Sequence, residues 1–513
     1  MDRILWADDE IDLLTPHILF LRQRGYDVCT VASGLDALEA LETQGPFSLV
    51  LLDENMPGIS GLETLERISG SYPELPVVMI TKSEEENIMN EAIGSRIADY
   101  LIKPVNPSQI LLSIKKNLHS SELVAARATQ DYQREFSSLS ARINGARSLR
   151  QWYAVYDDIV RWELRLSDTD TALDEMLLLQ KRDANAGFCK FVCQNYEDWL
   201  AGGPDAPLMS PGIFGNRVLP LLDAGEKVFL VVIDNFRLDQ WRMVRPLLSD
   251  MFNIEEELYT SILPTSTQYA RNAIFSGLMP LRISEMYPDL WVEEDEDGGL
   301  NIHEEELVAM QLRRLRRSER FSYNKINDSQ AGERFLGKLK SLASTPLNVL
   351  VFNFIDMLSH ARTESRTIRE LANTDAAFRA LTESWMRHSS AIEIFRGIAA
   401  MGFKVVLTTD HGTIRVDNPV KVQADRNTNT NLRYKVGKNL NYNSRQVFEM
   451  RNPLRFGLPS PNLSSTYIYA LNQDFFSYPN NYNYYVQYYT GTFQHGGISM
   501  QEMLVPLITL TPR

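Results

Sequence analysis

Three apolar runs, each closed by a carboxylate, restrict this chain more than any other feature. They are Lys227-Val-Phe-Leu-Val-Val-Ile-Asp234, Asn348-Val-Leu-Val-Phe-Asn-Phe-Ile-Asp356 and Lys404-Val-Val-Leu-Thr-Thr-Asp410. An unbroken apolar run between helical stretches reads as a buried strand of a parallel sheet, covered on both faces. Such sheets hold their ligands in the crevice beyond the carboxyl ends of the strands. His360 follows the second run by four residues and His411 follows the third at once. The three ends therefore predict one pocket rich in oxygen and nitrogen donors, which we read as a metal site.

At 513 residues the chain exceeds one core, and its length suggests roughly three or four domains. Cys29, Cys189 and Cys193 cannot build a disulfide framework. The last two share a helical face and are expected as buried, small apolar residues. The amino terminus starts a strand within three residues, and no apolar run approaches membrane-spanning length. These features predict a soluble cytoplasmic protein with no membrane insertion. A net charge of −14 argues against a general nucleic-acid binder but leaves room for a locally basic groove.

In residues 1–119, strands at Arg3–Ala7, Val28–Val31, Leu49–Asp53, Val77–Thr81 and Asp99–Lys103 alternate with amphipathic helices, one of them between the last two strands. Five such units predict a doubly wound sheet. Asp8 and Asp9 follow the first strand, Asp53 closes the third, Thr81 the fourth and Lys103 the fifth. Clustered carboxylates suit Mg²⁺, and a lysine and a hydroxyl would hold the oxygens of a phosphoryl group on Asp53. With Asp53-Glu-Asn-Met-Pro-Gly58 and Lys103-Pro104, the segment resembles the flavodoxin-like receiver domain of two-component response regulators. The resemblance implies that Asp53 is the phospho-acceptor and that Asp8, Asp9, Asp53 and the carbonyl of Asn55 hold Mg²⁺. It also implies that Thr81 and Lys103 contact the phosphoryl group, and that Tyr100 is an aromatic switch; an ordinary half-buried tyrosine is the alternative there.

From Ser120 to Leu200 there is no proline, and apolar residues such as Trp152, Tyr156, Ile159, Val160 and Trp162 recur at helical spacing. Residues 120–205 are expected to form an all-α bundle of three or four helices, with the aromatic residues in its core and Ala201–Pro207 as a linker.

Residues 206–513 are expected to form the large α/β unit. The stretch Leu263-Pro-Thr-Ser-Thr267 precedes a helical pattern closed by Gly277 and Pro280. A hydroxyl at that amino terminus is either a plain cap or a nucleophile in the positive end of the helix dipole. Asp356 and His360 lie one helical turn apart, and His495 arrives late beside two glycines. Imidazole and carboxylate donors together suit Zn²⁺ better than Mg²⁺. Two such ions about 3.5–4 Å apart recur in phosphoryl-ester hydrolysis.

This constellation resembles the alkaline phosphatase superfamily and, within it, PglZ-type domains. The resemblance implies two Zn²⁺: one held by Asp234, Thr267, Asp410 and His411, the other by Asp356, His360 and His495. Thr267 would be the nucleophile of a phosphodiesterase acting on nucleotides or oligonucleotides, with Thr265 and Ser266 as competitors. The diesterase pattern carries an Asn three residues after the nucleophile, where this chain has Ala270; Arg271 or Asn272 would then contact the substrate phosphate.

Between His411 and His495 lies an insertion rich in Asn and Tyr. From Thr413 to Phe456 it carries nine Arg/Lys and three Asp/Glu. With Tyr434, Tyr442 and Phe448 it forms either a groove for a phosphodiester chain or a cap held by internal salt bridges. Tyr482–Tyr489 reads as strand core or as a stacking surface.

The order of receiver, bundle and PglZ domain resembles the response regulators associated with type IX secretion. A sensor histidine kinase is then the expected phosphodonor, a homodimer the expected phosphorylated state, and a sigma factor or secretion-machinery components the expected partners. Two functions follow: a zinc phosphodiesterase gated by phosphorylation of Asp53, or a switched dimeric interaction module whose PglZ domain has little turnover.

Overall fold

The computed structural model describes residues 2–81, 97–118, 120–166, 171–292, 301–364, 374–424, 428–460 and 464–513. The chain divides into two compact units, Met1–Asp131 and Tyr132–Arg513.

The first unit is built on five parallel strands: β1 (Arg3–Ala7), β2 (Asp27–Val31), β3 (Leu49–Asp53), β4 (Val77–Thr81) and β5 (Asp99–Ile102), in the order β2-β1-β3-β4-β5. Strand periodicity sends alternate residues to opposite faces. Ile4, Trp6, Leu49 and Leu51 pack with Ile18, Leu21, Ile110 and Ile114 on one face. Leu5, Ala7, Val50 and Leu52 pack with Ala37, Leu41, Leu65 and Ile68 on the other. The sheet thus has helices on both sides, as the doubly wound pattern requires. The helix expected between β4 and β5 lies outside the described residues.

The second unit combines helices with a six-stranded sheet. Its helical part includes Leu149–Leu166 and Thr171–Leu200, and the expected core residues Trp152, Tyr156, Ile159, Val160 and Trp162 are buried. These helices pack on the α/β part through specific polar contacts. Tyr153 Oη lies 2.9 Å from Thr260 Oγ1, and Tyr196 Oη accepts a hydrogen bond from Leu263 N at 2.8 Å. Cys189 is buried, with its thiol 3.1 Å from the Ile498 carbonyl, and burial pushes the Cys193 thiol up to about 12. Neither thiol is ionised at neutral pH.

The sheet contains β6 (Val228–Ile233), β7 (Phe252–Thr260), β8 (Phe321–Ile326), β9 (Leu347–Phe352), β10 (Lys404–Thr408) and a final strand, Leu504–Pro512. The order is β7, final strand, β10, β6, β9, β8. The four strands from β10 to β8 run parallel, and the final strand is antiparallel to both β10 and β7. Every residue of β6 and β9 is buried, so the apolar runs are the centre of the sheet. The carboxyl ends of β10, β6 and β9 consequently open side by side at one edge.

Candidate metal centres

Each of the three central strands delivers candidate ligands to that edge. Asp234 follows β6 directly, and Asp410 and His411 come two and three residues after β10. β9 ends at Phe352, and Asp356 sits in the first turn of the helix Phe354–Glu364, one turn before His360. Donor atoms of Asp234, Asp410 and His411 all lie within 4.8 Å of one another, as do those of Asp356, His360 and His495. The two groups adjoin: the His411 and His495 rings stack with centroids 4.2 Å apart. Asp410 and His411 are adjacent in sequence, and both reach the same group.

Thr267 is the first residue of the helix Thr267–Ser276, with Ser266 at the cap position making no side-chain cap bond. The Thr267 Oγ1 lies 3.1 Å from His411 Nε2 and 3.4 Å from Asp234 Oδ1, so this hydroxyl faces the first group. Thr265 is committed elsewhere. Its hydroxyl donates to the Gly497 carbonyl at 2.9 Å and accepts from Gly496 N at 3.0 Å, which pins the His495 loop.

The groups have the chemistry of cation ligands. His411 Nδ1 lies 3.1 Å from the Gly412 carbonyl and His495 Nδ1 lies 3.1 Å from the Thr265 carbonyl. A backbone acceptor at Nδ1 fixes the proton there and leaves the Nε2 lone pair for a metal. Burial pushes His411 down, and burial with the neighbouring His411 ring pushes His495 down to about 4, so both imidazoles are neutral. Burial and the adjacent Asp234 push the carboxyls of Asp356 and Asp410 up. Burial alone would do the same to Asp234, but the Arg271 guanidinium holds it below the usual carboxylate range. Asp410 Oδ2 is buried with no hydrogen-bond partner. A crowded set of buried carboxylates with an unmet oxygen is what a bound dication would neutralise. The first group is closed, with His411 fully buried; the second opens to solvent at His360, whose side chain is 62 % exposed.

Arg271 and Asn272 stand behind this set. The Arg271 guanidinium donates to Asp234 Oδ2 at 2.6 Å and to Glu304 Oε1 at 2.5 Å, fully buried, so it is committed to ligand support and not turned to a substrate. Asn272 Oδ1 accepts from Asn301, which also bonds the Thr267 carbonyl. Sequence reasoning passed over several supporting residues. Asn235 donates from its side chain to Asp356 Oδ1 at 3.2 Å and from its backbone to Asp410 Oδ1 at 3.3 Å, bridging the two groups. Glu502 accepts from Arg433 at 2.6 Å and from Gly497 N at 2.9 Å, both beneath the His495 loop. Gly412 lets the short helix Met500–Met503 pass, since a Cβ there would lie 2.0 Å from the Gln501 carbonyl oxygen. The one sequence signal for these is position: Asn235 and Gly412 each adjoin a ligand.

Part of the basic insertion is turned to internal use. Arg433 is buried on Glu502, Lys435 Nζ donates to the Asn429 carbonyl, and Arg451 pairs with Glu449. Tyr434 is buried and Phe448 packs with Phe456 and Tyr469, so these rings belong to the local core.

In the first unit, donor atoms of Asp8, Asp9 and Asp53 also lie within 4.8 Å of one another, with Asp9 exposed. Lys103 Nζ bridges Asp8 Oδ2 at 2.8 Å and Asp53 Oδ1 at 3.0 Å. Asn55 N donates to Asp53 Oδ2 at 3.1 Å. Burial raises the Asp53 carboxyl despite the opposing pull of Lys103. Tyr100 is half-buried on β5. Thr81 ends β4 beside these groups in register, but its side chain lies outside the described residues.

Known proteins share these parts. Residues 4–115 match the response regulator receiver domain, 122–200 the PorX response regulator linker domain, and 213–510 the BREX system PglZ alkaline phosphatase-like domain. Over 125 residues, 24% of this chain, it is 32% identical to the alkaline phosphatase synthesis transcriptional regulatory protein PhoP of Bacillus subtilis (strain 168), covering 51% of that protein. Over 133 residues, 26% of this chain, it is 34% identical to the transcriptional regulatory protein ZraR of Klebsiella oxytoca, covering 30% of it. The chain thus spans about half or less of the length of these curated relatives. Among solved structures, a CheY-like receiver domain protein from Methanospirillum hungatei JF-1 is 29% identical and matches 23% of this chain and 95% of its own, with a TM-score of 0.23. The response regulator TrrA from Thermotoga maritima, in complex with Mg(2+)-BeF, is 30% identical over 23% of this chain and 100% of its own, with a TM-score of 0.22.

Receiver sheet, linker match and phosphatase-like match in this order define a two-component response regulator of PorX-like architecture. Its PglZ match covers more than half of the 513 residues, and the chain belongs to the PglZ alkaline phosphatase-like family. A domain of this kind suggests hydrolase activity, and a receiver domain implies a phosphodonor such as a histidine kinase. Among the described residues no helix is long and apolar enough to cross a membrane.

Proposed function

We propose that the second unit is a zinc-dependent phosphodiesterase acting on nucleotides or oligonucleotides, with Thr267 as nucleophile. The observation that supports this most directly is the convergence of Thr267 Oγ1, Asp234 Oδ1 and His411 Nε2 on one point beside a second three-donor group. Two zinc ions in these groups would acidify the threonine hydroxyl and take up charge on the leaving oxygen. The chain supplies the rest. The Thr267 hydroxyl loses its proton to solvent and its oxygen attacks phosphorus, and the O–P bond to the leaving alcohol breaks as the alcohol oxygen takes a proton from water. A water molecule then cleaves the phosphothreonine, releasing the phosphomonoester and restoring the hydroxyl. The start of the Thr267–Ser276 helix directs its dipole at the phosphoryl oxygens. Arg271 keeps Asp234 ionised, and Asn235 fixes Asp356 against Asp410.

In this proposal the receiver gates the hydrolase through phosphorylation of Asp53 with Mg²⁺ on Asp8, Asp9, Asp53 and the Asn55 carbonyl. A sensor histidine kinase supplies the phosphoryl group, and phosphorylation drives a homodimer. On the PorX-like architecture, type IX secretion is the setting, with secretion-machinery components or a sigma factor as partners.

The test is hydrolysis of bis(p-nitrophenyl) phosphate by purified protein with added Zn²⁺. Thr267→Ala is expected to lower kcat/KM at least about 10³-fold, since it removes the nucleophile and not merely a contact. No product from wild type, or equal rates for the two proteins, overturns the hydrolase and leaves a metal-stabilised interaction module.

A further inference from the structure

The helix Tyr482–Tyr489 has no buried residue, although five of its eight side chains are tyrosine. A surface helix normally buries one apolar stripe. Here the rings instead stack along the helix. Tyr484 and Tyr488 are 6.0 Å apart at 17°, Tyr485 and Tyr489 are 6.2 Å apart at 12°, and Tyr484 is 63 % exposed. Two parallel pairs one turn apart make an aromatic ladder, exposed at Tyr484 and Tyr485 and seated at Tyr489 on the cluster of Ile414, Val416 and Phe475.

Cations flank the ladder. Lys421 Nζ lies 4.7 Å above the Tyr482 ring at its start, and Arg415 donates to the Gly491 carbonyl just past its end. Across Phe475–Gln501 there is no Asp, Glu, Lys or Arg, so no acidic residue of this stretch opposes them. The ladder is also tied to the candidate metal centre by a two-stranded ribbon. Ile414–Arg415, which leave His411, pair antiparallel with Phe493–Gln494, which lead into His495. Tyr489 stands six residues before His495, a span of at most about 21 Å.

We propose that this helix is a base-stacking platform for a single-stranded oligonucleotide whose phosphodiester lies in the metal centre. Tyrosine faces accept any base, and the flanking cations pair with the phosphate backbone. The proposal rests on the diesterase reading and refines it: a substrate several nucleotides long engages the platform, whereas a small aryl diester does not reach it.

The experiment compares wild type with the double variant Tyr484→Ala/Tyr485→Ala, and with Tyr484→Phe/Tyr485→Phe, which keeps the rings. Substrates are bis(p-nitrophenyl) phosphate and a single-stranded DNA decamer. For the decamer the alanine variant is expected to raise KM about ten-fold or more with kcat unchanged, and the phenylalanine variant to restore it. Aryl-diester kinetics are expected to be the same in all three. Equal decamer KM values, or aryl-diester activity falling in parallel, overturns the platform. Binding of a fluorescently labelled phosphorothioate decamer separates the two readings. If wild type cleaves neither substrate the diesterase falls, and the platform then stands or falls on whether the alanine variant weakens that binding about ten-fold. Binding unchanged by the tyrosine substitutions leaves a protein as the occupant of the helix.

Discussion

Both units gather aspartates at the carboxyl ends of parallel strands, yet they manage the resulting charge in opposite ways. In the receiver, Lys103 sits inside the cluster within 3.0 Å of both Asp8 and Asp53, and Asp9 remains exposed. The donors are all oxygens, and solvent reaches one of them. That suits a hard cation that keeps its waters and comes and goes with a phosphoryl group. Among the described residues of the second unit no lysine enters the candidate ligand set. Arg271 pairs with Asp234, neutral imidazoles stand among the donors, and Asp410 Oδ2 is left without a hydrogen-bond donor. That arrangement suits a dication held by the buried donors. The same strand-end topology thus gives one cluster where an internal lysine balances the charge and another where the proposed metal would have to balance it.

The contrast predicts how each unit responds to chelation, and this is the largest expected effect. Stripping divalent ions should lower the melting transition of the second unit by about 10 °C or more, because a tightly held ligand of the native state is lost. The receiver transition should move by no more than about 2 °C, since Lys103 already neutralises its carboxylates. Differential scanning calorimetry with and without chelator reads both. Equal shifts in the two transitions would break the comparison.

A smaller effect tests the support behind the ligands. Arg271→Met removes the cation that holds Asp234 ionised and leaves Glu304 buried without its partner. Zinc affinity is expected to fall about 10–100-fold, the usual cost of losing a group that orients a metal ligand. Competition with a chromogenic chelator measures it. If instead the variant binds zinc normally but loses KM for a phosphodiester, Arg271 contacts substrate, as its position in the sequence suggested.

That alternative marks where the sequence stops being informative. Asp234, Asp410 and His411 closely follow strands, and Asp356 with His360 spans one helical turn, so local rules were enough to bring them to one edge of the sheet. Their division into two groups was implied only by the family resemblance. Thr267 could be assigned to a helix start, but Ser266 took the cap position and Thr265 was used up by Gly496 and Gly497, 231 and 232 residues away. Arg271 was legible as a helix residue, not as one facing inward, because its partner Glu304 lies 33 residues on. Arg433 looked like one charge in a basic insertion until Glu502 came beside it. The tyrosines of 482–489 fit a strand or a surface equally by composition, and only the helix shows that they stack on one another. Local pattern fixes which residues close a strand; the choice between a ligand, its support and a structural ion pair is made by contacts distant in sequence.

The smallest effect sharpens the receiver side. Burial raises the Asp53 carboxyl above its ordinary value, so its charged form is disfavoured in the folded unit relative to the unfolded chain. By linkage, such a group costs stability where it is ionised and ceases to do so as pH falls through its folded pKa. Asp53→Asn copies the protonated form at every pH. It is therefore expected to raise the receiver's melting temperature at pH 7 slightly, by about 2–4 °C, while abolishing uptake from a small phosphodonor. The gain should shrink as pH is lowered toward the carboxylate range, where wild-type Asp53 protonates by itself. A receiver destabilised by Asp53→Asn at pH 7 would mean that the Lys103–Asp53 ion pair outweighs burial, and that the lysine stabilises this cluster more than the carboxylates strain it.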